Sequence, residues 1–494
     1  MTETKYLYGA AVQGIQSFIF QTNELRDIVG ASELVEQICT TAFEDFGKDG
    51  ENGEAVVTAA GNIKFIFNNR EDCEKAVLLF PKTVMEMAPG ITISQAVEEM
   101  SPEKDDHGKY EDFERAVNKL EEKLRTQRNR PMPSLNLGLM AIERSRKTGL
   151  PAVGIDDKDG EFLDWATLKK KDRDKNANNR LCEDAFGIKN IRDREFPHDI
   201  KEITTKNDWI AIIHADGNGL GKVIQTIGKD NKKLKEFSKN LDIATKNAAK
   251  EAFSYIDYHL HALNGKVIPI RPVVLGGDDF TMICRADFAV EYTNAFIKAF
   301  EYETNKMGHQ LTACAGIAFI KSSFPFYYGY NLAESLCEAA KKDAKSINKD
   351  LAPSCLMFHK VQDSFVTDFN AITERELTPT EGVSWKFGPY YLEKQANDRW
   401  TIDDLTDKIK SLDSEEGNAV KSSIRQWLSA MHKQDGYAEQ LLKRAKDMAA
   451  KSMTATLEAA TERPRSFNSE DKLIKAYPAY DILSLHSVIY QETK

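Results

Sequence analysis

The chain has 494 residues, 41% of them hydrophobic, which is enough for packed cores in about three to four domains. A formal net charge of −10 excludes a surface that coats itself in nucleic acid, and no apolar run is long enough to span a bilayer. The start, Met1-Thr2-Glu3-Thr4-Lys5, has no secretory signal, and the seven cysteines form no Cys-x-x-Cys pair; a cytoplasmic protein with reduced core cysteines is expected.

In chain order, residues 5–12 alternate as a strand, 16–46 are mostly helical, 55–60 and 63–68 make a hairpin, 70–87 a helix and 91–98 a strand. This βαββαβ order is the ferredoxin-like arrangement and sets a first domain at 1–100. Its hairpin tip, Ala59-Ala60-Gly61-Asn62, carries no carboxylate, and its first strand runs into Gln13-Gly14 without an aspartate. Residues 101–206 begin with a helix near 109–127 and continue as a polar region in which Asp156–Gly160 and Lys175–Asn179 favour exposed loops. The basic stretches Lys123–Arg130 and Lys169–Arg180 read first as solvated faces. Should either contact RNA, Arg125, Arg128 and Arg130 are the better candidates.

The same order returns in 207–362, with a strand from Trp209, a helix near 230–262, strands at 267–275 and 279–285, a helix at 287–306 and a strand at 311–320. Here the first strand ends in Asp216 and a glycine-rich turn, Gly217-Asn218-Gly219-Leu220-Gly221, leads into a helix. The hairpin tip is Gly276-Gly277-Asp278-Asp279, where glycine allows a tight turn and adjacent carboxylates offer hard oxygen ligands to Mg²⁺ or Mn²⁺. Because the right-handed crossover makes the first two strands parallel, Asp216 is expected beside Asp278 and Asp279 on one sheet edge. Three carboxylates there would serve as the catalytic, metal-binding group of a two-metal phosphoryl-transfer site. From 363 to 494 the periodicity is helical over Ile402–Leu412, Val420–Met431 and Tyr437–Lys451, with a flexible loop expected at Thr461–Ser469.

Gly276–Asp279 with the Asp-Gly-Asn-x-x-Gly turn at 216–221, and the opening Gly14-Ile15-Gln16-Ser17-Phe18 with Leu25–Ser32, resemble the large polymerase/cyclase subunit of type III CRISPR effector complexes. The resemblance implies an α+β fold of two palm domains, the first degenerate and the second catalytic, an inter-palm insert and a C-terminal α-helical domain. It implies ATP as substrate, two Mg²⁺ or Mn²⁺ ions, and cyclic or linear oligoadenylate products. It also implies other effector subunits, guide RNA and target RNA as partners, and no membrane. Ala333–Lys345 resembles the family's helix that places lysines on nucleotide phosphates. The expected nucleotide-binding set is therefore Gly217, Asn218, Gly219, Gly221, Gly276, Gly277, Lys341 and Lys345.

Two departures limit what carries over. The first strand starts at Lys5, so the family's His-Asp nuclease domain is not expected in this sequence, and Glu143–Ala152 has no cysteine where relatives often ligate zinc. Three other readings stay open. A diguanylate cyclase shares the palm, but its tip differs from Asp278-Asp279-Phe280. A standalone defence cyclase would need no CRISPR complex, and a non-catalytic scaffold would not need the intact aspartates.

Overall fold

The computed structural model describes residues 4–490 apart from 60, 107, 130–140, 157–159, 189–196, 198, 205–207, 263–266, 364–367, 396–397, 433–435, 463 and 470–471. In the first palm, β1 (Lys5–Gln13), α1 (Ile15–Ile19), α2 (Leu25–Cys39), α3 (Thr41–Glu44), β2 (Gly53–Ala59), β3 (Asn62–Phe67), α4 (Arg70–Met87) and β4 (Thr92–Met100) follow the predicted order. The sheet runs β2-β3-β1-β4, with every neighbouring pair antiparallel. Period-two alternation sends Tyr8, Phe65 and Phe67 to one face, where Phe43 and Phe80 join them at 5.2 Å, edge to face. Leu7 and Ile66 point the other way, onto Phe113, Leu120 and Leu124 of α5 (Phe113–Arg128). Helices thus cover both faces of the sheet.

The inter-palm region departs from its expected loop at Lys175–Asn179, whereas Asp156 and Gly160 fall between two strands and residues 157–159 lie outside the described residues. A short hairpin, β5 (Ala152–Ile155) and β6 (Phe162–Asp164), feeds α6 (Trp165–Phe186), which contains the whole Lys175–Asn179 run. Asp164 accepts from the Thr167 N–H at 3.0 Å, and Gly187 closes the helix at φ 68°. Good caps at both ends outweigh the weak helix propensity of the asparagines between them. Within the Lys169–Arg180 stretch, Lys170, Lys171 and Arg180 are not simply solvated. Lys170 is fully buried and donates to the Phe18 carbonyl at 2.6 Å and to Gln21 Oε1 at 3.1 Å. Lys171 pairs with Asp156, and Arg180 donates to Glu33 at 2.8 Å. Arg125 and Arg128 are exposed at the end of α5, whereas Arg130 lies outside the described residues.

The second palm comprises β7 (Trp209–Asn218), α7 (Leu220–Ile227), α8 (Asn231–Ala262), β8 (Ile270–Gly276), β9 (Asp279–Arg285), α9 (Ala289–Lys306), β10 (Thr312–Lys321), α10 (Phe326–Ile347) and β11 (Cys355–Lys360). The start of α8 reaches back to the first palm, where Asn231 donates to Glu54 at 2.6 Å and Lys235 pairs with Asp49 at 2.6 Å. Farther on come α11 (Phe369–Arg375), β12 (Val383–Ser384), β13 (Tyr390–Tyr391), α12 (Ile402–Ser411), α13 (Glu415–Ala430), α14 (Tyr437–Met448) and α15 (Lys451–Thr461). The chain ends in β14 (Arg465–Ser469), β15 (Lys472–Ala476) and α16 (Ala479–Ile489).

The palm sheet runs β13-β11-β10-β7-β9-β8, so β11 and β13 extend a four-strand ferredoxin-like core. The C-terminal region is mostly helical but also holds a β12-β15-β14 sheet. The expected loop at Thr461–Ser469 is largely strand β14, anchored by the buried Arg465 against Asp343. Arg463 lies outside the described residues. Cys39, Cys73, Cys284, Cys314, Cys337 and Cys355 are free and buried. Among the described residues no helix is long and apolar enough to cross a membrane.

Candidate active site

Strand β7 is buried almost throughout because it lies between two antiparallel neighbours, β9 and β10. Its register sets Asp216 directly opposite Asp279 on β9 and Cys314 on β10. The carboxylate is one-third exposed, at the rim where the apolar run ends.

The neighbouring hairpin pairs Gly276 with Asp279, leaving Gly277 and Asp278 as a two-residue turn. Gly277 has φ 62° at the first central position, as a type II′ turn requires. Gly276 needs no such freedom. From α8, buried Thr245 donates to the Gly277 carbonyl at 2.5 Å and fixes the tip against the helix. At Gly217 a Cβ would stand 3.2 Å from the Asp278 Cβ, so the missing side chain lets the tip ride over β7. Asp216, Asp278 and Asp279 are thereby gathered from distant parts of the sequence onto one edge.

Burial pushes the Asp278 carboxyl up to about 6, and the Asp216 carboxylate adds to the effect. Asp279 reaches water at the rim, yet crowding by protein, then Asp278 and Asp216, lift it to about 7. Lys341 on α10 forms an ion pair with Asp216. Burial works against its ammonium, but the Asp216 carboxylate outweighs burial and raises its pKa. Such a crowded set of hard oxygen donors, whose ionised forms repel one another, suits a divalent cation. Among the described residues, however, no three acidic, histidine or cysteine side chains already form a closed metal cluster.

Other predicted residues divide. Gly219 caps α7 at φ 89°, and Gly221 is exposed in its first turn, so both present backbone at the rim. Lys345 lies one turn beyond Lys341 with its side chain in solvent. Asn218 does not face the rim: it is buried and donates to Thr312 Oγ1 and Cys314 Sγ, both at 3.2 Å. A strand that carries Asp216 to the edge turns residue 218 to the same face, but the neighbouring β10 closes over it. His214 is buried, bonds Thr281 at 3.2 Å, and is held down to about 4 by burial.

Motif reading missed Thr245, and it did not say which first-palm residues approach the rim. Phe20 stacks on Tyr330 at 4.5 Å, and Ile15, Ile19 and Ser32 line a pocket of about 60 Å³ with Asp279 and Arg180. As it stands this inter-palm space is too small for a nucleotide. Ile15 and Ser32 lie in the opening segments that carry the family resemblance, but only the packing of two domains brings them to Asp279.

Residues 209–350 match the family model described as Cas10/Cmr2, second palm domain. Over these residues the chain is Cas10-like. Its fold is similar to that of a Csm1–Csm4 cassette crystallised with AMPPNP, at a TM-score of 0.56, 14% identity and coverage of 98% of this chain and 69% of that one. The cassette in complex with cA4 aligns at 0.55 with 13% identity, covering 98% and 69%. Csm1 in T. onnurineus aligns at 0.50 with 14% identity, covering 99% and 70%. A search of curated proteins finds no match. The Cas10-type second palm therefore coincides with the segment that carries Asp216, the Gly276–Asp279 tip and Lys341.

Proposed function

We propose that the chain is a nucleotidyltransferase that joins ATP into cyclic or linear oligoadenylate messengers as the large subunit of a type III CRISPR complex. The observation that carries this reading is the register that puts Asp216 against Asp279 with Lys341 on the same edge. The similarity of the fold to Csm1 bound to AMPPNP and to cA4 supports the choice of adenine nucleotides. The partner in those assemblies, Csm4, supports placement among other effector subunits, with guide and target RNA as further partners.

In this mechanism Asp216 and Asp278, assisted by Asp279, would hold Mg²⁺ or Mn²⁺. Bound there, the cations would acidify an acceptor 3′-hydroxyl and neutralise a departing pyrophosphate. Lys341 then has two possible anionic partners, the Asp216 carboxylate in the resting chain and a triphosphate in the loaded one. Its ammonium would follow the charge. Backbone N–H groups at Gly219 and Gly221 would approach phosphate at the start of α7.

The test is mass spectrometry of products made from mixed nucleoside triphosphates with Mg²⁺ or Mn²⁺, with and without target RNA. Adenylate oligomers that vanish in an Asp278→Ala, Asp279→Ala double variant are expected. Guanylate dimers would favour the diguanylate cyclase reading, and turnover unchanged in the double variant would reduce the palm to a scaffold.

A further inference from the structure

A cavity of about 830 Å³ opens on the side of α10 away from the catalytic rim. Ser335, Glu338, Ala339, Lys342, Asp343 and Ser346 line it, at the spacing of one helix face. The opposite face packs Ala333, Cys337, Ala340 and Ala344 against the sheet, and the edge between them carries Lys341 to Asp216. The far wall comes from the C-terminal region: Lys386 and Arg465 are cationic, and Phe369, Phe467 and Ile474 are apolar.

The charges are unevenly matched. Three carboxylates line the cavity. Asp343 is committed, since it pairs with Arg465, stands 3.3 Å from Arg399 Nε and accepts from Tyr391. Asp368 caps α11 by accepting from the Asn370 N–H at 2.5 Å, and Glu338 is exposed to solvent. Lys342 is exposed and Lys386 partly buried, and neither meets a carboxylate at ion-pair distance among the described residues. Lys386 sits 4.7 Å over the Phe369 ring. Burial depresses its pKa; Asp343 opposes that, and Lys342 and Arg465 deepen it. Two ammoniums facing one cavity beside an apolar wall call for an anion with an apolar body, and the volume is within the range of small-molecule sites.

We propose that this cavity is a second, non-catalytic site for a nucleoside polyphosphate, with phosphates on Lys342 and Lys386 and the base against Phe467 and Ile474. It needs no divalent cation and none of the rim aspartates. Because one helix carries both Lys342 and Lys341, occupancy would bear directly on the element that holds Lys341 at Asp216.

The test is amine-reactive labelling of the full chain in EDTA, read lysine by lysine by peptide mass spectrometry, with ATP or adenosine as probe. Millimolar ATP is expected to slow labelling of Lys342 and Lys386 at least threefold, adenosine not at all. The protection should persist in an Asp216→Asn, Asp278→Asn variant, which separates this site from the catalytic reading. Equal labelling with and without ATP, equal protection by adenosine, or protection lost with the rim aspartates would each overturn the proposal. A Lys342→Ala, Lys386→Met variant with an unchanged melting temperature should bind fewer ATP equivalents in EDTA than the parent; an unchanged stoichiometry would also overturn it.

Discussion

The ion pair between Lys341 and Asp216 is the contact on which the rim turns. An ammonium and a divalent cation would compete for the same carboxylate, so under the proposed function the pair occupies Asp216 in the unloaded chain. Lys341→Met should therefore separate two properties. Mn²⁺ binding to the nucleotide-free chain should tighten, because no ammonium must be displaced. Nucleotidyl transfer should fall about 10²–10³-fold, the usual cost of removing one charge-stabilising donor. Titration with Mn²⁺, followed by electron paramagnetic resonance, reads the first property and product formation the second; weaker Mn²⁺ binding would contradict this account. Thr245 acts one step back, through the Gly277 carbonyl at 2.5 Å. Thr245→Val leaves that half-buried acceptor without its donor, at about 1 kcal/mol, the lower end of the range for a lost partner. A roughly tenfold loss in kcat is expected, partly restored in Thr245→Ser, and no loss would remove the threonine from any positioning role.

At the scale of elements, periodicity made both palms legible: the strands alternate, the helices follow at the right lengths, and the order is duplicated. Topology then placed Asp216 beside the hairpin, a juxtaposition that no linear spacing shows. The failures have physical causes. Helix α6 was hidden because its middle is polar, while the groups that hold it are the caps Asp164 and Gly187 and the packing of its ends on α2 and α8. Asn218 is buried where the motif suggested a rim residue, because a motif gives the residue but not the face that β10 covers. How closely α10 sits on the sheet was also invisible. A Cβ at Gly316 would meet the Ala333 carbonyl oxygen at 1.9 Å and the Cys337 nitrogen at 2.5 Å, both backbone atoms that cannot rotate away. Gly316→Ala must push α10 off β10, costing at least the roughly 1–3 kcal/mol of overpacking. Melting temperature and product formation should fall together. Gly221→Ala, which adds a methyl where no atom lies within 4 Å, is the control and should leave the melting temperature in place.

Across the whole molecule, the seams between domains depend on buried polar groups, and one of them titrates. Tyr390 on β13 donates to Asp481 on α16 at 2.8 Å, joining the palm sheet to the C-terminal helices. Burial pushes the Asp481 carboxyl from the ordinary 3.8 up to about 7, against the pull of the Tyr390 hydroxyl. Between those two values the folded chain holds a proton that the unfolded chain has released. By linkage, stability is fullest at the acid end of that window and falls as pH rises through it. Above about 7 the carboxylate is charged in both states, so this slope ends. Nothing in the sequence around Asp481 marks this behaviour, since its partner belongs to a two-residue strand far from it in the chain. Asp481→Asn keeps the shape and an acceptor for Tyr390 but cannot ionise. Thermal melts from pH 5 to pH 8 should show the parent losing stability toward neutrality and the variant with a flatter profile. Parallel profiles would mean that the seam's pH response lies in another group.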